Sequence, residues 1–367
     1  MNKPILSIVI PTKNRYETLL KVINSILKFN SNQFELVIHD NSDDNIKIKK
    51  YLSGLKDMRL KYFYTTDKLS QTGNSNLAVE KSIGEYVCFI GDDDGVMPNI
   101  VEVTKWMKEN GFKALKSYKP SYYWPNQKSN YLSNDASGVL KYKKWKEDSY
   151  QIIKTKEALN YTLSKGGGTI KKLPCLYHGI VERRTLNLIY KVAGTFFPGP
   201  SPDMANAIAL TQVIDSYVLV NYPVIISGKS AKSIGGAGVL HKHISKIEEV
   251  KHLPEDTCKN WDERIPKYWT GPTIWAESVI KALEKFQNKE AIEKINFSYL
   301  YAHLEVFHKI QSKEIFKDFV VEKTVMYYLL KFKIYLHRAK TFIQNRIGVV
   351  KKINNIKDME SVIKILN

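Results

Sequence analysis

Along residues 5–120, short apolar runs alternate with segments of helical period. Residues 5–10 (Ile5-Leu6-Ser7-Ile8-Val9-Ile10) predict a strand, stopped by Pro11. Leu19, Leu20, Val22, Ile23, Ile26 and Leu27 then recur at steps of three and four, which predicts an amphipathic helix. Residues 34–38 predict a second strand, followed by the polar turn Asp40-Asn41-Ser42-Asp43-Asp44, and residues 60–64 a third. A helix over 76–83 leads into the apolar run 86–90. Pro98 reads as the first-turn residue of a further helix carrying Val101, Val103, Trp106 and Met107. This rhythm predicts an α/β fold with a mostly parallel sheet covered by helices on both faces. Ligands of such sheets gather at the carboxyl ends of the strands, where Pro11–Arg15, Asp40 and residues 92–94 fall.

The pattern loosens between about 120 and 240. Tyr122-Tyr123-Trp124-Pro125-Asn126 reads as an aromatic loop with faces suited to a sugar ring, and Gly166-Gly167-Gly168 as a flexible joint. Residues 176–181 predict a strand, with a helix from about Arg183. In Phe197-Pro198-Gly199-Pro200-Ser201-Pro202-Asp203, Ser201 is placed as N-cap and Pro202 at the first helical position. Asp203 then falls in the first turn, where a carboxylate is favoured. Strand-like residues follow over 217–226, and Gly235-Gly236-Ala237-Gly238 reads as a mobile loop. From about 245 the pattern is helical. The expected division is a first domain over 1–244, with halves 1–115 and 116–244, and a mainly helical C-terminal region over 245–367. Residues 325–338 within it are apolar and aromatic with basic punctuation. They read as a helix packed on its neighbours, with contact to an anionic membrane as the alternative.

Composition narrows the setting. Of 367 residues 43% are hydrophobic, enough for a sizeable core. The 3 cysteines (Cys88, Cys175, Cys258) are far apart and suggest neither a disulfide framework nor a zinc site. No signal-peptide pattern precedes the first strand, and no run approaches the roughly 18 apolar residues of a membrane span. The expected location is cytoplasmic, with peripheral contact at the inner face of the plasma membrane as a further expectation. A formal net charge of +19 favours nucleotides, anionic lipid or acidic polymers without choosing among them.

The chemistry concentrates in Gly91-Asp92-Asp93-Asp94-Gly95, directly behind a predicted buried strand. Three adjacent carboxylates beside a core repel one another and call for a cation; oxygen ligands suit Mg²⁺ or Mn²⁺. Taken alone, the segment also reads as a solvated acidic turn.

Together these segments resemble the family 2 glycosyltransferases, inverting enzymes with a GT-A fold. Ser7-Ile8-Val9-Ile10-Pro11-Thr12-Lys13-Asn14-Arg15 is similar to that family's first strand and nucleotide-contacting turn. Val37-Ile38-His39-Asp40-Asn41-Ser42 is similar to its second strand, and Asp93-Asp94-Gly95-Val96-Met97-Pro98 to its Asp-Asp, three residues, Pro signature. The resemblance implies that Pro11 and Thr12 meet the nucleotide, with Asn14 and Arg15 shaping the turn. Asp40 would accept from the base, Asp93 would bond the ribose, and Asp94 would hold the cation. Gly91 stands where many members carry another aspartate, which leaves the share of metal between Asp92 and Asp94 open. Thr72-Gly73-Asn74-Ser75-Asn76 resembles the family's Gly/Asn segment without its usual Arg, and makes Asn76 a donor-contact candidate.

Ser201-Pro202-Asp203 looks like the turn that carries the family's catalytic base, which makes Asp203 the candidate. Tyr177 to Arg184 resembles the acceptor-lining segment, in which His178 is either a site residue or an interior histidine. His241 is the candidate to complete the metal shell, and Lys229 or Lys232 to meet the diphosphate. The resemblance therefore implies a metal-dependent (Mn²⁺ or Mg²⁺) enzyme moving a sugar from a nucleotide-sugar donor, UDP-linked by expectation, to a saccharide acceptor in bacterial surface-glycan synthesis. The processive members' Gln-x-x-Arg-Trp motif is missing, so one sugar per encounter is expected. Nucleic acid is not an expected partner, whereas a homo-oligomer through the C-terminal region is. The alternatives are a sugar nucleotidyltransferase, disfavoured because the Pro11–Arg15 turn has no Gly, and a non-catalytic glycan- or nucleic-acid-binding protein.

Overall fold

The computed structural model describes residues 3–127, 137–145, 149–233, 244–346 and 350–367. In the N-terminal half the elements run β1 (Leu6–Thr12), α1 (Tyr16–Leu27), β2 (Phe34–Asp40), α2 (Ile46–Ser53), β3 (Leu60–Tyr64), α3 (Gln71–Glu80), β4 (Tyr86–Phe89), β5 (Gly95–Val96) and α4 (Ile100–Glu109). They continue through β6 (Ala114–Tyr118), β7 (Ser121–Tyr123), β8 (Val139–Tyr142), β9 (Tyr150–Lys154), α5 (Thr155–Ser164), β10 (Gly179–Glu182), α6 (Arg183–Ala193), α7 (Pro202–Val213), β11 (Ser216–Pro223) and β12 (Ile225–Lys229).

The main sheet has eight strands in the order β3-β2-β1-β4-β10-β6-β11-β9. Strands β1 to β4 are parallel, as the alternating pattern requires. Strand β10 enters antiparallel between β4 and β6, β11 runs parallel to β6, and β9 antiparallel to β11. The period-two alternation explains the two-sided covering. Leu6, Ile8 and Ile10 of β1 face a core shared with α1, α2 and α4, including Leu19, Ile23, Ile48 and Val101. Val9, from the same strand, faces the opposite core with Ala78 of α3, Leu186 of α6 and Leu210 of α7. Each of these Leu, Ile and Val side chains contributes about 1.5–3 kcal/mol on burial. The fold is the expected mixed α/β architecture.

A third core joins α5 and α7 to the C-terminal helices Gly271–Lys285 and Phe297–Phe307. The chain then returns to the first core. The strand Lys351–Ile353 pairs with β8, and Met359, Val362 and Leu366 of the helix Met359–Leu366 pack into the cluster around α1. Among the described residues no helix is long and apolar enough to cross a membrane.

Several local expectations change. Helix α3 begins at Gln71, capped by Ser70, whose Oγ accepts from Gly73 N (3.0 Å), and ends at Glu80. The predicted range of 76–83 came too late because its buried face is polar (Thr72, Asn74, Ser75) and hides the helical period. Helix α4 starts at Ile100, two residues beyond Pro98. The triple glycine is a close-packed corner and not a joint. Gly166 and Gly167 have φ of +64° and +73°, and a Cβ on either would meet Asn296 O or Ala276 Cα at 2.9 Å. Tyr122 and Trp124 are buried in the first core, so they offer no face to a sugar. The Gly235–Gly238 loop lies outside the described residues.

Candidate active site

The carboxyl ends of β1, β2 and β4 converge on one acidic centre. Pro11 and Thr12 close β1, and Thr12 is paired in register with Asp40 at the end of β2. Thr12 Oγ1 donates to Asp92 Oδ2 (2.5 Å). Asn14 turns the chain with φ +59°, a left-handed conformation that Asn tolerates, and clasps the neighbouring turn. Its N–H donates to Ser42 Oγ (2.7 Å) and its Nδ2 to Asp43 Oδ2 (2.9 Å). The turn delivers Arg15 to the carboxylates, with its guanidinium 2.9 Å from Asp92 Oδ1 and 4.0 Å from Asp93 Oδ1. The cation that three adjacent aspartates demand is therefore supplied in part by the chain itself.

The three aspartates are all buried but differently held. Among the described residues Asp92 Oδ1 has no hydrogen-bond partner, with the Arg15 guanidinium as its neutralising charge; burial pushes its carboxyl up to about 7 against the pull of Arg15. Asp93 Oδ2 accepts from Ser230 N (2.9 Å) and Oγ (2.7 Å), while its backbone carbonyl accepts from Trp124 Nε1 (2.8 Å). Burial and then Asp94 raise its carboxyl above the ordinary range. Asp94 receives four donors: Gly91 N (2.7 Å), Tyr177 Oη (3.1 Å) and His178 Nε2 (2.7 Å) on Oδ2, and Gly228 N (2.8 Å) on Oδ1. Burial opposes ionisation, but His178 and these donors together hold Asp94 below the usual carboxylate range.

His178 has φ +62° and stacks on Tyr177 with ring centroids 4.0 Å apart. Lys119 Nζ lies 3.0 Å from its Nδ1. A lysine ammonium donating to Nδ1 goes with the tautomer whose Nε2–H donates to Asp94. Burial, more than any neighbour, lowers both His178 and Lys119. The Lys119 side chain feels the charges of both Asp94 and Asp203. Asp203 sits in the first turn of α7 as expected, half-buried, with Oδ1 accepting from Ser201 Oγ (2.5 Å) and Met204 N (2.7 Å).

Other candidates are placed differently. Asp40 is buried, and its carboxylate accepts from Tyr16 Oη (2.6 Å), Tyr62 Oη (2.8 Å) and Ser42 N (2.9 Å). Asn76 accepts at Oδ1 from Thr195 Oγ1 and Phe196 N, pinning that turn. It is Asn74 that reaches the strand ends, donating to Thr12 O (3.1 Å) and meeting His39 Nδ1 (2.6 Å). Lys229 Nζ bonds Tyr123 Oη (3.2 Å), and His241 lies outside the described residues. Gly91 follows from packing: a Cβ there would lie 3.0 Å from Asp94 Oδ2 and 3.2 Å from Tyr177 Oη.

Among the described residues no group of three or more His, Cys, Asp and Glu side chains is arranged to hold a metal. The chemistry of the centre nonetheless fits a cation bound by one or two carboxylates plus substrate phosphates. Among the described residues Asp92 Oδ1 is a buried acceptor without a hydrogen bond, paired only in charge with Arg15, and Asp93 Oδ1 faces the same guanidinium. Asp94 is the most heavily bonded of the three, with three donors on Oδ2 and one on Oδ1.

This acidic centre with its fixed cation lies at the strand ends of a mostly parallel sheet, where ligands of such sheets gather. Residues 7–160 match the profile of glycosyl transferase family 2, and over that region the chain belongs to this family. A putative colanic acid biosynthesis glycosyl transferase of Escherichia coli K12 is 30% identical over 103 residues, 28% of this chain and 37% of that protein. A GalNAc(5)-diNAcBac-PP-undecaprenol β-1,3-glucosyltransferase of Campylobacter jejuni is 32% identical over 111 residues, 30% and 36% of the two chains. The match to an uncharacterised glycosyltransferase of Rickettsia conorii spans only 23% of that protein's length. The crystal structure of Staphylococcus aureus TarS 1–349 overlays with a TM-score of 0.47 at 13% identity, over 90% of this chain and 91% of that one.

Proposed function

We propose that the chain transfers a glycosyl group, with inversion, from a UDP-linked sugar to a hydroxyl of a saccharide acceptor in bacterial surface-glycan assembly, one sugar per encounter. The observation that carries this reading is Arg15 held between Asp92 and Asp93 at the ends of β1 and β4, inside a glycosyltransferase family 2 region. The names of the E. coli and C. jejuni relatives, one a colanic acid enzyme and the other acting on an undecaprenol-linked glycan, support the surface-glycan setting.

In this reading Arg15 sets a fixed positive charge beside the diphosphate, where leaving-group charge develops. A bound Mn²⁺ or Mg²⁺ would add Lewis-acid stabilisation of that leaving group, and Asp92 Oδ1 and Asp93 Oδ1 are the oxygens suited to hold it. Asp94 then serves as a structural hub that ties Gly91, Gly228 and His178 together. The acceptor oxygen forms its bond to the anomeric carbon as the bond to the diphosphate oxygen breaks; its proton goes to Asp203, and the nucleoside diphosphate leaves. Ser201 and the Met204 N–H keep the Asp203 carboxylate oriented at the start of α7.

The test is turnover of a panel of nucleotide-sugars with Mn²⁺, Mg²⁺ or chelator, in the wild type and in Asp203→Asn. Loss of transfer by about 10²-fold or more in the variant is expected for a general base. Full transfer by Asp203→Asn would remove that assignment, and turnover indifferent to chelator would remove the metal.

A further inference from the structure

The helix Val325–Arg346 has two apolar faces. One is satisfied within the chain: Tyr327 and Ile334 are buried against Ala302 and Val306 of the Phe297–Phe307 helix. Tyr327 Oη and Lys331 Nζ both reach Glu305 on that same helix. The other face is bare. Val325, Leu329, Phe332, Leu336 and Ile343, spaced by three, four and seven, form a stripe open to solvent, with Val325 78% and Phe332 62% exposed. Tyr328 and Tyr335 widen it.

Charge decides what this face meets. None of the 22 residues of the helix is Asp or Glu. Lys333 and Lys340, seven apart, run along one margin of the stripe, and Lys331 and Arg338, also seven apart, along the other. Lys331 is matched by Glu305 and Arg338 rests on Val306 O, whereas Lys333 and Lys340 stand in solvent. A second copy of the same helix, in either direction, would bring cationic margin against cationic margin with no acidic partner. A surface that combines apolar depth with negative charge complements both features at once, and aromatic side chains suit its interfacial zone.

We infer that this helix lies on an anionic lipid bilayer, its stripe sunk at the headgroup boundary and Lys333 and Lys340 at the phosphates. The inference stands on the helix alone and needs neither donor nor acceptor. It is tested by co-sedimentation of the full chain with phosphatidylcholine vesicles, with and without about 30% phosphatidylglycerol. Binding is expected only with the anionic lipid and is expected to weaken at least ~10-fold in about 0.5 M salt. Lys333→Gln/Lys340→Gln should weaken it about 25-fold, at roughly five-fold per cation. Phe332→Glu/Leu336→Glu alters exposed positions only, so the unfolding midpoint should hold while vesicle binding is lost. Absence of binding by the wild type, equal binding to neutral vesicles, or binding retained by Phe332→Glu/Leu336→Glu would overturn the inference. So would a dimer in sedimentation velocity that this double substitution dissolves, which would assign the face to a second copy.

Discussion

Arg15→Met should destabilise the protein in a pH-dependent way, because it removes the cation from a buried pair while roughly keeping side-chain length. In the wild type, burial raises the Asp92 carboxyl from 3.8 to about 7 even with the guanidinium 2.9 Å away. A folded-state value above the unfolded one means that proton binding favours the fold. This contribution is complete below about pH 3.8 and is lost as pH rises through 7. Without Arg15 the folded value climbs further, so the variant must hold its proton against a larger gradient. Between about 7 and pH 8.5 lie roughly 1.5 pH units at about 1.4 kcal/mol each, a penalty near 2 kcal/mol from Asp92 alone. Asp93, 4.0 Å from the same guanidinium, adds to it. At pH 5.5 Asp92 is protonated in both proteins, and only lost packing of about 0.5–1 kcal/mol remains. Urea unfolding of both proteins at the two pH values measures the difference. Adding Asp92→Asn to the variant should restore most of the loss at pH 8.5. An equal deficit at both pH values, or no rescue, would refute the claim that Arg15 acts as counter-charge to Asp92.

Two further outcomes follow from the same geometry. Gly228→Ala would place a Cβ 1.6 Å from Asp93 O, where β12 crosses the acidic loop, so the strand must move away from Asp94. The expected cost is about 3 kcal/mol or more in a urea titration; stability within about 0.5 kcal/mol of wild type would show that the crossing is loose. Glu277 is buried, its Oε1 lacks a hydrogen bond among the described residues, and burial pushes it up to about 7 despite Lys281 at 3.7 Å. Its contribution is full below about pH 4.5 and lost as pH rises through 7, so Glu277→Gln should flatten the pH 5–8.5 stability profile by up to about 3 kcal/mol. A variant profile parallel to the wild type's would contradict this.

Strand patterning carried far because a half-buried or fully buried strand writes its neighbours into its side chains. Residues 5–10 and 34–38 are readable as parallel strands for that reason, and the place of Asp203 in the first turn of α7 is readable from Ser-Pro-Asp. What escaped was set by tertiary contact. Helix α3 is hidden in the sequence because its buried face includes Thr72, Asn74 and Ser75, of which Asn74 bonds Thr12 O at the site and Thr72 bonds Gly199 O and Pro200 O. Arg15 read as a turn residue, since nothing in one dimension aims its guanidinium at Asp92. Three adjacent aspartates in a sequence point to an external metal, whereas the fold brings the chain's own Arg15 to them. His178 and Lys119 could be linked to Asp94 only once β10 was seen to enter antiparallel beside β4. Tyr122 and Trp124 looked like a sugar platform because aromatic loops and aromatic core corners have the same composition.

The central claim is that Asp92 and Asp93, with Arg15, form the diphosphate end of a donor site, while Asp94 only braces it. Calorimetric titration of UDP into the wild type, Asp92→Asn and Asp203→Asn, with and without Mn²⁺, tests this most directly. The account predicts metal-dependent binding in the wild type, a loss of about ten-fold or more in Asp92→Asn, and unchanged affinity in Asp203→Asn. UDP affinity that ignores both Mn²⁺ and Asp92→Asn would contradict it.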